Sequence, residues 1–194
     1  MNSKRESTSK FLSYVLRHKP ETIGLSLDTE GWAVIDQLIR LANGHGTKLT
    51  RELLLEVVAT SDKKRFALSP DGSRIRANQG HSIQTNLNLQ PRIPPQTLFH
   101  GTATRFEESI RARGLVAGTR QYVHLSIDKT TALQVGKRYG KPLLLEVEVL
   151  AMTRNGHEFF KSENGIWLTR TVPTAYLRFP DAPKNRLKQR REAA

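Results

Sequence analysis

Residues 65–82 read RFALSPDGSRIRANQGHS, and this segment predicts a β-hairpin around which the rest of the chain is arranged. Two short strand-like runs flank a Pro-Asp-Gly turn. The segment carries arginine, asparagine, glutamine and histidine side chains, whereas a hairpin that only formed core would carry apolar ones. We therefore expect the hairpin to contact a ligand, with small helices packed before it. The strand-rich sequence after it predicts a second lobe that faces the same site.

The composition favours a nucleic-acid ligand. The 194 residues are enough for one large or two small domains, and 31 Lys and Arg against 18 Asp and Glu give a formal net charge of +13. Such an excess predicts an anionic partner, most commonly a phosphate backbone. With no cysteine in the chain, disulfides, thiolate zinc sites and thiol nucleophiles are excluded. No signal-like or membrane-length apolar segment is found, so we expect a cytoplasmic protein.

A first helix is predicted from apolar residues at helical spacing between Phe11 and Leu16. Ser7-Thr8-Ser9 offers N-caps, and Lys19-Pro20 ends the helix. Arg17 and His18 then fall in the last turn. From the residues alone, the favoured role of this pair is to complement the negative end of the helix dipole.

Two further helices are predicted between the first helix and the hairpin. Residues 34–41 carry one apolar stripe, and Thr50 can cap a helix whose apolar face runs from Leu53 to Val58. Three short helices followed by a hairpin is the order expected of a winged-helix module, in which the hairpin is the wing. Basic wings commonly contact phosphates.

The second half of the chain predicts mainly strands. Residues 91–96, which include three prolines, suit a linker, and a strand beginning at Thr97 leads into His100-Gly101-Thr102, where glycine would allow a ligand to approach the backbone. Residues 143–150 form the clearest strand pattern. Other predicted elements are a helix over 106–113, a strand over 122–126, a helix capped by Asp128 or Thr130 and running to Arg138, and strands at 158–161, 166–169 and 175–179. From Asp181 onward the sequence predicts a mobile basic tail.

Several enzyme classes lose support because their motifs are missing from the sequence. It contains no Walker loop, no dinucleotide-binding GxGxxG and no His/Asp/Glu cluster with metal-ligand spacing. The chain contains the residue types of a Ser-His-Asp hydrolase, but no nucleophile-elbow sequence is present to support that class. The residues alone predict no metal site.

The motifs in their order closely resemble the RNA 2′-phosphotransferase family, from about Ser9 to Leu177. The matching segments are LRHKP (16–20), GW (31–32), DKKRF (62–66), IRANQGHS (75–82), HGT (100–102), VHLS (123–126) and ENGIWLT (163–169). The resemblance implies an α+β protein: an N-terminal winged-helix-like lobe and a C-terminal ADP-ribosyltransferase-fold lobe of mainly antiparallel strands. The implied limits are 1–90 for the RNA-binding lobe, 91–96 for the linker, 97–180 for the NAD-binding lobe and 181–194 for the tail.

The resemblance also implies an activity, the NAD-dependent removal of an internal RNA 2′-phosphate, as in tRNA splicing. In the family's first step the 2′-phosphate attacks the NAD ribose and releases nicotinamide. In the second step a ribose hydroxyl attacks the phosphate, which frees the RNA 2′-OH and ADP-ribose 1″,2″-cyclic phosphate. NAD is consumed as a co-substrate, and no metal is needed. We expect a monomer without a membrane partner.

The family's catalytic Arg-His-Arg-Arg set is carried over to Arg17, His18, Arg65 and Arg138. This reverses the helix-dipole interpretation of the first two residues, because a phosphate dianion needs fixed cations and a proton-transferring group. The resemblance also implies nucleotide-binding and RNA-binding residues. The former are His100, Gly101, Thr102, His124 and Ser126, and the latter are Lys64, Arg76, Asn78, Gln79 and His81.

Alternative interpretations remain open at this point. His124 is equally compatible with a buried structural histidine. The polar residues of the hairpin and its exit are equally compatible with turn chemistry and hydrogen bonding between the lobes. For the whole protein, one alternative is an ADP-ribosyltransferase that caps terminal phosphates of RNA or DNA. Another is a winged-helix protein that binds nucleic acid without catalysis.

Overall fold

The computed structural model of the chain describes residues 3–61 and 63–180, which contain helices and small antiparallel sheets. The helices are α1 (Ser3–Arg17), α2 (Ile35–Gly44), α3 (Arg51–Ala59), α4 (Glu107–Arg113), α5 (Lys129–Lys137) and α6 (Val149–Arg154). The strands are β1 (Ala33–Val34), β2 (Phe66–Leu68), β3 (Arg74–Ala77), β4 (Thr97–Ala103), β5 (Leu115–Val116), β6 (Val123–Leu125), β7 (Pro142–Glu148), β8 (Phe160–Lys161), β9 (Trp167–Thr169), β10 (Thr171–Val172) and β11 (Leu177–Arg178). Short 3₁₀ helices occupy Pro20–Ile23, Thr104–Phe106 and Thr174–Tyr176. The expected α+β class is confirmed.

The described residues form two compact units, each built from separate parts of the chain. The first unit contains the described residues up to Pro94 together with Val116–His124 and His157–Thr171. The second contains Pro95–Leu115, Leu125–Gly156 and the described residues from Val172 onward. Each predicted lobe, in contrast, is one continuous segment of the chain, and the predicted lobe limits stay a prediction.

The first unit holds the predicted helices and hairpin. α1, α2 and α3 enclose a core in which Leu12, Leu16, Leu38 and Leu54 are fully buried. Thr50 caps α3 as predicted, since its side chain accepts a hydrogen bond from the Leu53 N–H at 3.2 Å. β2 and β3 pair antiparallel, and β1 joins the other edge of β3 to give a three-stranded sheet.

The later segments of the first unit add a second hairpin. β8 pairs antiparallel with β9, and the turn between them is the predicted Glu163-Asn164-Gly165. The Asn164 amide donates to the Lys63 carbonyl at 3.1 Å, and Glu163 forms an ion pair with Arg76 at 2.5 Å. These contacts attach the turn to the start and the end of the β2–β3 hairpin.

The second unit is a three-stranded antiparallel sheet in the order β11-β7-β4, with α5 packed on it. Asp128 caps α5, because its carboxylate accepts from the Thr131 N–H at 2.6 Å. Two glycines allow the close packing: a Cβ at Gly101 would lie 1.6 Å from the Ala132 carbonyl oxygen, and one at Gly136 would lie 2.4 Å from that of Thr102. This packing accounts for glycine at position 101 without a ligand.

Some predicted boundaries are wrong. α1 begins at Ser3, so Ser7-Thr8-Ser9 lies inside the helix and does not cap it. The helix ends at Arg17, which leaves His18 immediately after it. The strand predicted to Leu150 ends at Glu148, and the unpredicted helix α6 begins at the next residue. The basic tail from Asp181 lies outside the described residues.

Two kinds of feature are absent from residues 3–61 and 63–180, namely membrane-spanning helices and metal-binding groups of side chains. The helices of these residues include none that is both long and apolar enough to cross a membrane. In the same ranges, no three His, Asp or Glu side chains are grouped as a metal site requires.

Candidate active site

The C-terminal end of α1 is joined to the segment that follows the hairpin. The Arg17 carbonyl accepts a hydrogen bond from the Ser82 N–H at 2.9 Å. The His18 Nδ1 lies 2.9 Å from the Ser82 Oγ, which fixes the plane of the imidazole. His18 continues the helical hydrogen-bond pattern by donating its N–H to the Tyr14 carbonyl at 3.0 Å. Ser82 therefore fixes the backbone at Arg17 and contacts the imidazole of His18.

Arg65 is held next to Arg17 by the start of the hairpin. The Arg17 Nη2 donates to the Arg65 carbonyl at 3.3 Å, and the Arg17 guanidinium lies 5.9 Å from the centre of the Phe66 ring. Asn78 also fixes the backbone here. Its side-chain Nδ2 donates to the Lys64 carbonyl at 2.7 Å, and its backbone N–H donates to the Arg65 carbonyl at 3.0 Å. Three of the predicted catalytic residues, Arg17, His18 and Arg65, thus belong to one local structure.

Arg120 is a further cation of this cluster that the sequence interpretation missed. Burial lowers the pKa of Arg17 to about 10, and the charges of Arg65 and Arg120 add to this effect. Burial likewise lowers the pKa of His18, with contributions from Arg17 and Arg120. The Arg120 Nη1 also lies 3.5 Å from the His124 Nδ1. Arg120 stands three residues before the VHLS motif, and that proximity is the signal that could have identified it.

The cluster carries positive charge without a compensating carboxylate. Across residues 3–61 and 63–180, no Asp or Glu lies within 4.0 Å of the charged nitrogens of Arg17, Arg65 or Arg120. The Arg17 Nε is buried and has no hydrogen-bond acceptor in the same ranges. Because burying an unpaired cation is costly, such an arrangement is expected where an anionic ligand completes the site. A phosphate dianion matches the charge and the forked donors of arginine.

Lys64, Arg76 and Asn78, which were predicted to contact RNA, lie in the same unit as this cluster. Arg76 stacks on Trp32 at 4.5 Å and forms ion pairs with Glu163 and Glu30, so its charge is already balanced. Asn78 is 6% exposed and positions the Lys64-Arg65 backbone. Lys64 is exposed, with a left-handed φ of 39°. These positions give Arg76 and Asn78 structural contacts, and their predicted contacts with RNA stay a prediction.

His81 is buried next to a small polar cavity. Its side chain is 2% exposed, and neither ring nitrogen has a hydrogen-bond partner among the described residues. Together with Gln79, Gln121 and His124 it lines a space of about 10 Å³, which suits one water molecule. Burial, assisted by Arg17, His18 and Arg76, lowers the pKa of His81 to about 4.

This buried histidine predicts a loss of stability in acid. Between the ordinary histidine pKa of about 6.5 and the folded value of about 4, the unfolded chain binds more protons than the folded one. The free energy of unfolding should therefore fall as the pH drops through this window, by up to roughly 3 kcal/mol from His81. Urea unfolding at several pH values checks this. His81→Gln should flatten the slope between pH 6.5 and 4, and an unchanged slope would contradict the assignment.

The remaining predicted residues lie in the second unit. His100 and Thr102 share one side of β4, and the neighbouring Phe99 exchanges both backbone hydrogen bonds with Ser126 at 2.8 Å. Arg138 is exposed and follows the last turn of α5. His124 belongs to the first unit, where it approaches Arg120.

Comparison with known proteins shows one consistent relationship. A model of the "RNA 2'-phosphotransferase, Tpt1 / KptA family" matches residues 3–171. The chain is 54% identical over 177 residues to a "Probable RNA 2'-phosphotransferase" of Pectobacterium carotovorum subsp. carotovorum, covering 91% of this chain and 95% of that protein. Proteins of the same description from Pseudomonas aeruginosa (58% over 174 residues; 89% and 96% covered) and Agrobacterium fabrum (57% over 171 residues; 88% and 92% covered) are similar. The resemblance seen in the sequence motifs is confirmed, and the chain belongs to the RNA 2′-phosphotransferase family.

Proposed function

We propose that this protein removes an internal 2′-phosphate from RNA in two steps, with NAD consumed as co-substrate. The observation that carries the proposal is the group of cations Arg17, Arg65 and Arg120 around His18, without a carboxylate partner among the described residues. The family membership agrees with an RNA phosphate as the ligand.

The arginines bind and orient the phosphate. Arg17 is part-buried, its Nε is fully buried without an acceptor, and its charge has no carboxylate partner among the described residues, so a bound phosphate dianion offsets the cost of burying that charge. Arg65 and Arg120 add charge at the same place and stabilise the negative charge that is redistributed during phosphoryl transfer. Arg17 is held by the Arg65 carbonyl and packs on the Phe66 ring before a ligand arrives, so it does not need to reorganise during the reaction.

His18 handles a proton at a defined atom. When Nδ1–H donates to the Ser82 Oγ, the lone pair of the ring is on Nε2. The lowered pKa keeps the free imidazole neutral at pH 7, and a bound phosphate dianion raises that pKa again. His18 can then hold a proton on Nε2 and deliver it to the RNA 2′-oxygen as the bond from that oxygen to phosphorus breaks. The ribose hydroxyl that attacks the phosphorus releases its proton to solvent, from which the imidazole is protonated again.

The second unit offers donors that fit a nucleotide. NAD, when bound, supplies the ribose that takes over the phosphate with loss of nicotinamide. His100 and Thr102 present an imidazole and a hydroxyl on the same side of β4, and these groups suit the hydroxyls of a ribose. The proposal assigns His100, Gly101, Thr102, His124 and Ser126 to this nucleotide.

We also propose the folds of the two lobes, the oligomeric state and the location of the protein. The three helices and the hairpin support a winged-helix-like RNA lobe, and the antiparallel sheet with α5 supports a lobe of the ADP-ribosyltransferase fold. We place the lobe limits at 1–90 and 97–180. The proposed form is a cytoplasmic monomer that acts on tRNA-like RNA without a metal.

The test is an assay of the whole reaction. The protein is incubated with NAD and a short RNA that carries one internal 2′-phosphate, and both nicotinamide release and RNA dephosphorylation are followed. We expect both products, and we expect His18→Ala to slow phosphate removal by about 100-fold because its proton transfer is lost. His45→Ala, an exposed substitution in a loop after α2, serves as the matched control.

Three results would contradict the proposal. Nicotinamide release with a permanently ADP-ribosylated RNA would show the capping reaction. RNA binding without nicotinamide release would show a non-catalytic binding protein. Equal rates for His18→Ala and the wild type would remove His18 from the mechanism.

A further inference from the structure

A groove in the first unit leads away from the candidate active site along α1. It has a volume of about 750 Å³ and lies between α1 and the C-terminal part of α3. At one end it is lined by His18 and Arg65, and further along by Arg5, Lys10 and Tyr14. The groove is thus continuous with two residues that the mechanism uses.

The helix geometry aligns the groove residues in a row. Lys10, Tyr14 and His18 are spaced by four, so they lie on one side of α1 and its continuation. At about 1.5 Å per residue this row is roughly 12 Å long. Stacked nucleotides are spaced by roughly 3.4 Å along a strand, so the row matches about three of them.

The side chains of the groove have the chemistry of a single-stranded nucleic-acid site. Tyr14 is 46% exposed and lines the groove, and an exposed aromatic ring can stack on a base. Arg5 and Lys10 add positive charge, and Ser9 and Ser61 add hydroxyl groups.

The acidic neighbours of these cations do not exclude a phosphate. Lys10 pairs with Glu6 at 2.7 Å, and Arg5 pairs with Glu56 at 3.3 Å. Both pairs involve exposed carboxylates, and such surface ion pairs contribute little to stability. A nucleic-acid phosphate can therefore replace the carboxylates at small cost.

We propose that this groove binds the RNA strand adjacent to the phosphorylated nucleotide, with a base stacked on Tyr14 and backbone phosphates at Lys10 and Arg5. The location of the 2′-phosphate at His18 and Arg65 rests on the proposed function. A single strand fits these residues because the site combines an aromatic face with a row of cations, and phosphate contacts with base stacking need no particular sequence.

The test compares a long and a minimal RNA that carry the same internal 2′-phosphate. Fluorescence anisotropy gives the Kd of an octanucleotide and of a dinucleotide for the wild type, Tyr14→Ala, Tyr14→Phe and Lys10→Gln. Lys48→Gln, an exposed lysine outside the groove, is the charge-matched control. The same RNAs are then used as substrates with NAD.

We expect Tyr14→Ala to weaken octanucleotide binding by roughly 10-fold, because a stacking platform is lost, and Tyr14→Phe to restore it. Lys10→Gln should reduce the slope of log Kd against log salt by about one. The losses in Tyr14→Ala and Lys10→Gln should be smaller for the dinucleotide, which reaches less of the row, and Lys48→Gln should match the wild type throughout.

Equal octanucleotide affinity for Tyr14→Ala and the wild type would overturn the groove assignment, as would an equal loss for both RNA lengths. The groove and the proposed function can fail separately. If Tyr14→Ala weakens binding while the wild type removes no phosphate, the groove stands and the proposed reaction falls. If phosphate is removed normally but the ratio of octanucleotide to dinucleotide Kd is the same in all variants, the proposed reaction stands and the groove assignment falls.

Discussion

Replacement of Arg17 by glutamine is expected to lower kcat/KM for a 2′-phosphorylated RNA by roughly 1,000-fold, without destabilising the folded protein. Arg17 contributes a part-buried guanidinium, and partial burial together with the nearby charges of Arg65 and Arg120 lowers its pKa to about 10. The phosphate loses this preorganised charge in the variant. The free protein, in contrast, loses a part-buried cation that has no carboxylate partner among the described residues, and burying such a cation is unfavourable in the absence of a ligand.

Activity and stability therefore have to be measured on the same samples. Steady-state kinetics with the phosphorylated RNA gives kcat/KM, and urea unfolding in phosphate-free buffer gives the free energy of unfolding. Arg51→Gln is the matched control, because Arg51 is an arginine of the same unit whose charge is paired with Asp36 at 2.7 Å. The interpretation fails if Arg17→Gln keeps a tenth of the activity, or if its loss of activity is accompanied by unfolding.

Arg120→Ala is expected to lower kcat/KM by about 100- to 1,000-fold, whereas Arg138→Ala should keep activity within a few-fold of the wild type. Arg120 acts electrostatically on Arg17 and His18, whose pKa values its charge lowers. Arg138 was assigned from a short motif, and its side chain is exposed after the last turn of α5. The paired variants decide which arginine is the fourth member of the set.

A second readout separates a local electrostatic effect from misfolding. Since the Arg120 charge lowers the pKa of His18, its removal should raise that pKa, and an NMR titration of the imidazole measures the change. In Arg138→Ala the His18 titration should be unchanged. If Arg138→Ala loses activity and Arg120→Ala does not, the assignment made from the sequence motif is restored.

Local signals in the sequence account for most elements of the fold. The cap at Thr50 and the turn between β8 and β9 have short-range causes, and both were predictable. The start of α6 was not predictable from the same rules. Val149-Leu150-Ala151-Met152 continues the apolar run of β7, and an apolar run of this length fits a strand as well as a buried helix.

The sequence identified most residues of the candidate site, but it predicted the contacts of only some of them. Arg17, His18 and Arg65 were identified from motifs, and the structure places them together. Burial decides the contacts of Asn78 and His81, and burial depends on tertiary packing that a polar sequence pattern does not reveal. Arg120 was missed for a similar reason, because its relationship to Arg17 exists only in three dimensions.

The glycines at positions 101 and 136 affect how a loss of activity in mutants of this protein should be interpreted. Each lies so close to a carbonyl of the opposing element that a single methyl group cannot be accommodated without moving α5 away from β4. Alanine at either position would disturb the second unit as a whole. A genetic screen for inactive mutants should therefore recover these glycines alongside the arginines of the site, and recovery in such a screen does not by itself identify a residue that touches RNA or NAD.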